Sequence, residues 1–261
     1  MVTQFPPLEI SVSFEKLWET VSGYKLRALI LYLLAIIYFS VPALQIPVLE
    51  YNSFRFTSLM EQRALEKFLI FYPSQSWVNI SNVNHSLLRA VICMEDGSFF
   101  KHKGIDWKEL NTSLKVNKRR GRTVRGGSTI TMQTAKNLYL TTSKNVLRKA
   151  KEFIITFRME KELSKRAILE NYINAVEWGD GIFGIKRAAD NYFGKHPSEL
   201  KSSESARLAA VIPSPLKHSP DINTGYVLRR SSIIRGRMND IVLFPEETHE
   251  KKRSNRINRR R

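Results

Sequence analysis

From Ala28 to Leu49 the chain carries no charged residue, and ALILYLLAIIYFSVPALQIPVL would be apolar on every side of a helix. About twenty such residues carry a helix across the hydrocarbon of a bilayer, so the pattern predicts a transmembrane helix over 28–49. Pro42 and Pro47 are expected to end or kink it, because proline gives no amide hydrogen to the preceding turn. Tyr32, Tyr38 and Tyr51 suit interfacial positions. A cleaved signal sequence is the competing reading, with small residues at Ser40-Val41-Pro42-Ala43, but proline beside the cut disfavours it. Lys16, Lys25 and Arg27 precede the span, which predicts a short cytoplasmic segment over 1–27 and everything from Glu50 onward outside.

After the span the periodicity changes. In SLMEQRALEKFLIFY, residues Leu65, Phe68, Leu69 and Tyr72 fall three and four apart, predicting an amphipathic helix within a membrane-proximal connector over 50–83. From Asn84 to about Asp240, helical runs alternate with short Gly, Pro, Ser or Thr breaks and no two-residue alternation is sustained. That predicts one mainly α-helical domain over 84–244. On a helix from Lys144 to Leu163 the expected buried stripe is Leu147, Ala150, Ile154 and Phe157. Lys144, Arg148 and Glu152 then line up four apart on another face. Leu88, Ile92 and Glu95 share one stripe, so the Glu95 carboxylate continues an apolar face. Desolvation there raises its pKa toward the range useful to a general base or acid. Residues 245–261 have no apolar periodicity and are predicted to be a basic disordered tail.

Composition narrows this little. A chain of 261 residues fits one sizeable domain with appendages, and a net charge of +18 draws it to nucleic acid, anionic lipid or phosphorylated substrates alike. The lone Cys93 excludes an intrachain disulfide and a multi-cysteine metal site, and its apolar neighbours predict a buried structural thiol. No G-x-x-x-x-G-K-[ST] spacing occurs, which excludes a P-loop. The pattern S-x-x-K occurs at Ser13, Ser22 and Ser214 among other places, but no K-[ST]-G follows, and the first two precede the span, so transpeptidase chemistry is excluded.

The candidate chemistry lies in ordered blocks. Glu95-Asp96-Gly97-Ser98-Phe99-Phe100-Lys101-His102-Lys103-Gly104 resembles the signature E-D-x-x-F-x-x-H-x-G of the family 51 peptidoglycan glycosyltransferases. Arg125-Gly126-Gly127-Ser128-Thr129-Ile130-Thr131-Met132-Gln133, with Lys136 and Asn137 beyond it, resembles that family's G-G-S-T-I-T-Q-Q segment, departing at Met132 where glutamine is usual. A glycine loop feeding a capped helix offers free amides to a phosphate oxygen, and Thr129, Gln133 and Lys136 would share one face of that helix. Arg148-Lys149-Ala150-Lys151-Glu152 matches R-K-x-x-E, and Lys165 to Asn174 resembles K-x-x-I-L-E-x-Y-L-N. The blocks at Gly179–Gly184, Tyr192–Lys195, Glu204–Ala210 and Pro213–Pro215 read as scaffold, and His102 reads as a structural hydrogen-bonder.

The resemblance implies a lysozyme-like helical domain in two lobes around a cleft, of the monofunctional biosynthetic transglycosylase branch. It implies Glu95 as catalytic base and Glu152 as a second essential carboxylate acting through a divalent ion, Mg or Mn. It further implies Ser128, Thr129, Gln133, Lys136, Asn137, Lys144, Arg148 and Lys149 as substrate-binding residues around a pyrophosphate. The implied partners are lipid II, the growing glycan strand, the membrane and other cell-wall synthesis and division proteins, with no nucleic acid. The implied location is the bacterial inner membrane, single-pass, with an extracytoplasmic catalytic domain. Two rivals remain: a lysozyme-like glycan-cleaving enzyme, which also uses two carboxylates, and a basic nucleic-acid-binding membrane protein, supported by charge alone.

Overall fold

The structure of the chain is a computed structural model that describes residues 14–39, 42, 45–51, 56–68, 76–122, 124, 126–143 and 145–245. It divides into two compact units, residues 1–41 and 42–261. The expectations placed on Leu69, Tyr72, Arg125, Lys144 and the basic tail lie outside the described residues.

In the first unit helix α1 spans Phe14–Phe39, with Leu26, Leu29, Ile30, Leu31 and Leu33 exposed. It starts well before the predicted span and stops before Pro42. Among the described residues no helix is long and apolar enough to cross a membrane. The end of the predicted span belongs instead to the second unit. Ile46 and Leu49 are buried there around a 3-10 turn, Pro47–Glu50. Asn171 Nδ2 donates to Leu49 O (3.1 Å), and the Glu50 carboxylate accepts from Ser164 N and Oγ. Lipid and protein core both select apolar side chains, so the 28–49 pattern ran together residues with different surroundings.

The second unit contains α2 (Ser58–Glu66), α3 (His85–Glu95), α4 (Trp107–Arg120), α5 (Ile130–Tyr139), α6 (Val146–Glu162) and α7 (Lys165–Ala175). A two-stranded antiparallel ribbon follows, β1 (Glu177–Gly179) with β2 (Ile182–Phe183), then α8 (Ile185–Phe193), α9 (Ser202–Val211) and α10 (Gly225–Arg237). The mainly helical expectation is met. Side chains of Asn84, Asp106, Thr129, Asn145, Ser164 and Thr224 accept amides of the first turns they precede, which fixes where α3, α4, α5, α6, α7 and α10 begin.

Two packing groups form around these helices. Helix α3 packs on α9 and α10, while α5 packs on α2, α6 and α7. Leu87, Leu88, Ile92, Ile130, Met132, Ile155 and Tyr172 are fully buried among them. In α2 the buried side chains are Leu59, Met60 and Ala64, whereas Leu65 and Phe68 are exposed. In α6 the buried side chains are Glu152, Ile155, Thr156 and Met159, while Leu147 and Phe157 are exposed and Ala150 and Ile154 half-buried. The expected buried stripe of α6 is therefore not its inner face. Choosing the most apolar stripe fails for α6 because its inner face carries a carboxylate that two cations neutralise.

Candidate active site

Glu95 is the last residue of α3, and the residues after it explain why that end is fixed in space. The buried Asp96 carboxylate accepts the amide of Ile130 (3.0 Å), the first residue of α5, and faces His102 Nε2 at 3.0 Å. An anion at the start of α5 also meets the positive end of that helix. Gly104 completes the junction: its carbonyl accepts from Thr129 Oγ1, its φ is +92°, and a Cβ there would lie 2.8 Å from Thr156 Cγ2 of α6. Only glycine fits. The block from Glu95 to Gly104 is thus a clamp joining α3, α5 and α6, and His102 takes the structural part expected of it.

Beside this clamp lies a cavity of about 590 Å³ lined by Glu95, Gly126, Gly127, Ser128, Gln133 and Arg230, among others. Gln133 Nε2 donates to Glu95 Oε2 at 2.7 Å. Tyr172 Oη donates to Gln133 Oε1 at 3.3 Å, which fixes the orientation of the amide. Glu95 Oε1 is buried and has no hydrogen-bond partner among the described residues. Burial pushes the Glu95 carboxyl above the usual carboxylate range, against the opposing pull of the Gln133 hydrogen bond and the charges of Arg230 and Lys136. The result is a carboxylate held by one oxygen, with the other open to a proton. Cys93 lines the same cavity and is half-buried rather than buried, and burial raises its thiol pKa, which disfavours the reactive thiolate.

One turn along α5 from Gln133, Lys136 faces a second group on α6. Arg148 and Lys149 each pair with one oxygen of Glu152, which is 2% exposed. Burial pulls the Lys136 ammonium below lysine's usual range, while the charges of Glu152 and Glu95 oppose that shift. Lys136 therefore links the two carboxylates electrostatically. Three cations stand against the single Glu152 carboxylate, which leaves a positive excess suited to a phosphorylated leaving group. A resident divalent ion on Glu152 does not fit this donor set: both carboxylate oxygens are held by cations, and the described residues hold no group of three or more His, Cys, Asp or Glu side chains able to ligate one.

The remaining predicted residues divide as follows. Ser128 is exposed on the cavity rim. Thr129 caps α5 and spends its hydroxyl on Met132 N and Gly104 O, so it shapes the loop rather than presenting a free donor. Asn137 is buried on α5, and Met132 is fully buried, so the departure from the family pattern falls on the core side of the helix. Arg230 and Tyr172 were not singled out from the sequence. Tyr172 sits in the Lys165–Asn174 block, in which no residue was given a role, and Arg230 reaches Glu95 only through the packing of α10 on α3, which no local pattern announces.

The clamp, the carboxylate and the cation group all lie between residues 61 and 239. The transglycosylase family model matches residues 61–239, and the chain belongs to that family. Its relatives include the biosynthetic peptidoglycan transglycosylase of Janthinobacterium sp. (strain Marseille), 41% identical over 64% of this chain and 72% of the relative. The protein of that name from Azoarcus sp. (strain BH72) is 45% identical over 62% and 70%. That from Aromatoleum aromaticum is 46% identical over 62% and 72%.

Proposed function

We propose that this chain is a peptidoglycan glycosyltransferase that polymerises lipid II into glycan strands with Glu95 as general base. The observation that carries this reading is the Glu95 carboxylate, with one oxygen held by Gln133, the other without a partner among the described residues, and cations within electrostatic reach. The acceptor 4-hydroxyl gives its proton to Glu95 Oε1 as its oxygen attacks the donor anomeric carbon. The bond from that carbon to pyrophosphate breaks on the opposite face, which inverts the configuration. Negative charge grows on the departing pyrophosphate, and Lys136, Arg148 and Lys149 offset it there, where charge develops in the transition state. Glu152 keeps Arg148 and Lys149 in place and takes no proton.

The exposed apolar side chains of α1 support attachment of the chain to the bacterial inner membrane, with the second unit on the extracytoplasmic side. Tethering there raises the effective concentration of two substrates held in the same bilayer. A glycan-cleaving reading is opposed by the cations at Glu152, since hydrolysis of finished glycan releases no pyrophosphate. Detergent-solubilised protein given radiolabelled lipid II should form polymer. Release of sugars from finished wall, with no polymer from lipid II, would overturn the reading.

A further inference from the structure

A second cavity, of about 740 Å³, shares no lining residue with the Glu95 cavity. It lies where the end of α6, the start of α7, the segment after Phe99 and residues 244–245 meet. Its charge is one-sided. Glu160, the only acidic lining residue, is neutralised by Lys165 at 2.8 Å and accepts from Thr131 Oγ1. Lys101, Lys103 and Lys161 also line the cavity, are exposed, and have no acidic partner among the described residues. Three ammonium groups around one space repel each other unless a shared anion sits among them.

The other walls are aromatic. Phe100 and Phe244 meet edge to face at 5.6 Å, the Arg166 guanidinium lies 4.7 Å over the Phe244 ring, and Phe157 is 49% exposed. Phe244 adopts a φ of +47°, a left-handed conformation that a bulky residue takes only where its packing holds it. His102 also lines the cavity; its ring is 9% exposed and its Nδ1 is buried without a hydrogen-bond partner among the described residues.

We propose that this cavity binds a phosphate ester of net negative charge carrying an apolar body. Three separated point charges suit the tetrahedral spread of phosphate oxygens, and the phenylalanine rings supply apolar area that a bare inorganic ion cannot use. The assignment does not depend on the reaction given to Glu95.

The test is calorimetric titration of the full-length protein in maltoside micelles with dihexanoylphosphatidylglycerol, dihexanoylphosphatidylcholine and inorganic phosphate. The anionic lipid is expected to bind saturably and more tightly than the other two. The variant Lys101→Ala/Lys103→Ala/Lys161→Ala should weaken it about tenfold or more, as expected for losing charge-assisted contacts. Phe244→Ala should weaken the lipid and leave inorganic phosphate unchanged. All three lysines are exposed and outside the Glu95 and Glu152 groups, so both variants should keep lipid II polymerisation, which reports folding. Absence of saturable binding, equal binding by the triple variant, or equal affinity for inorganic phosphate or phosphatidylcholine would each overturn the proposal.

Discussion

Glu95, half-buried with one buried carboxyl oxygen, and the buried Glu152 are given parts in the same proposed reaction, yet their surroundings are opposite. Among the described residues Glu95 has a single neutral donor, Gln133, on one oxygen and none on the other, and burial raises its pKa. Glu152 has a cation on each oxygen. A carboxylate that must accept a proton has to be left partly unsatisfied, and one that must hold cations in place has to be saturated. The difference assigns their roles more firmly than their shared residue type could.

The largest expected effect breaks the comparison at Glu95. Glu95→Gln keeps the shape and the contact to Gln133 but cannot take a proton, so lipid II polymerisation should fall about a hundred- to ten-thousand-fold. Its thermal midpoint at neutral pH should not fall. A folded Glu95→Gln enzyme working near the wild-type rate would remove the general-base assignment.

Glu152→Gln should do the reverse in stability. It leaves Arg148 and Lys149 without their carboxylate, and breaking a buried pair commonly costs about 3–5 kcal/mol. The loss should sit at or below the low end of that range, because the Arg148 and Lys149 side chains are 15% and 34% exposed and can rehydrate. Urea denaturation measures it. A destabilisation no larger than that of Glu95→Gln would erase the contrast.

A smaller effect sharpens the contrast between substrates. Lys136→Ala and Arg148→Ala each remove a charge-assisted contact to the leaving pyrophosphate, typically about 1.5–3 kcal/mol. Steady-state kinetics should show donor use weakened more than acceptor use. Equal losses toward both substrates would count against placing the pyrophosphate at this cation group.

Much of this site could be read in the sequence, and the unread parts share a cause. Short-range signals were sufficient for the cap of α5, for Glu95 on the Leu88–Ile92 stripe, and for the placing of Arg148 and Glu152 four residues apart on one face. What failed depended on tertiary partners. The inner face of α6 could not be chosen from apolarity, because Glu152 is buried with its cations while Leu147 and Phe157 face outward. Ile46 and Leu49 looked like lipid-facing residues and are core. Arg230 and Tyr172 reach the Glu95 network from α10 and α7, far along the chain, and Thr129 was expected to offer a donor that Gly104 O already takes.

The finest test concerns the pH at which Glu95 becomes competent. Because burial raises its pKa, the acid limb of kcat/KM should lie above the ordinary glutamate range, with activity lost as pH falls through it. The Gln133 hydrogen bond favours the ionised form and so lowers that pKa. Gln133→Ala should therefore move the acid limb to still higher pH. Tyr172→Phe removes the hydroxyl that orients the Gln133 amide, and should move the limb the same way by less. Stability carries the same signature with its own sign. A carboxyl whose pKa is raised on folding binds its proton more tightly in the folded state. Stability from this group is thus fully present below the unfolded pKa and is lost as pH rises through the folded one. Glu95→Gln should flatten that part of the stability profile and leave the Glu152 ion pairs untouched. An acid limb that stays in place in both Gln133→Ala and Tyr172→Phe would show that the observed ionisation belongs to another group.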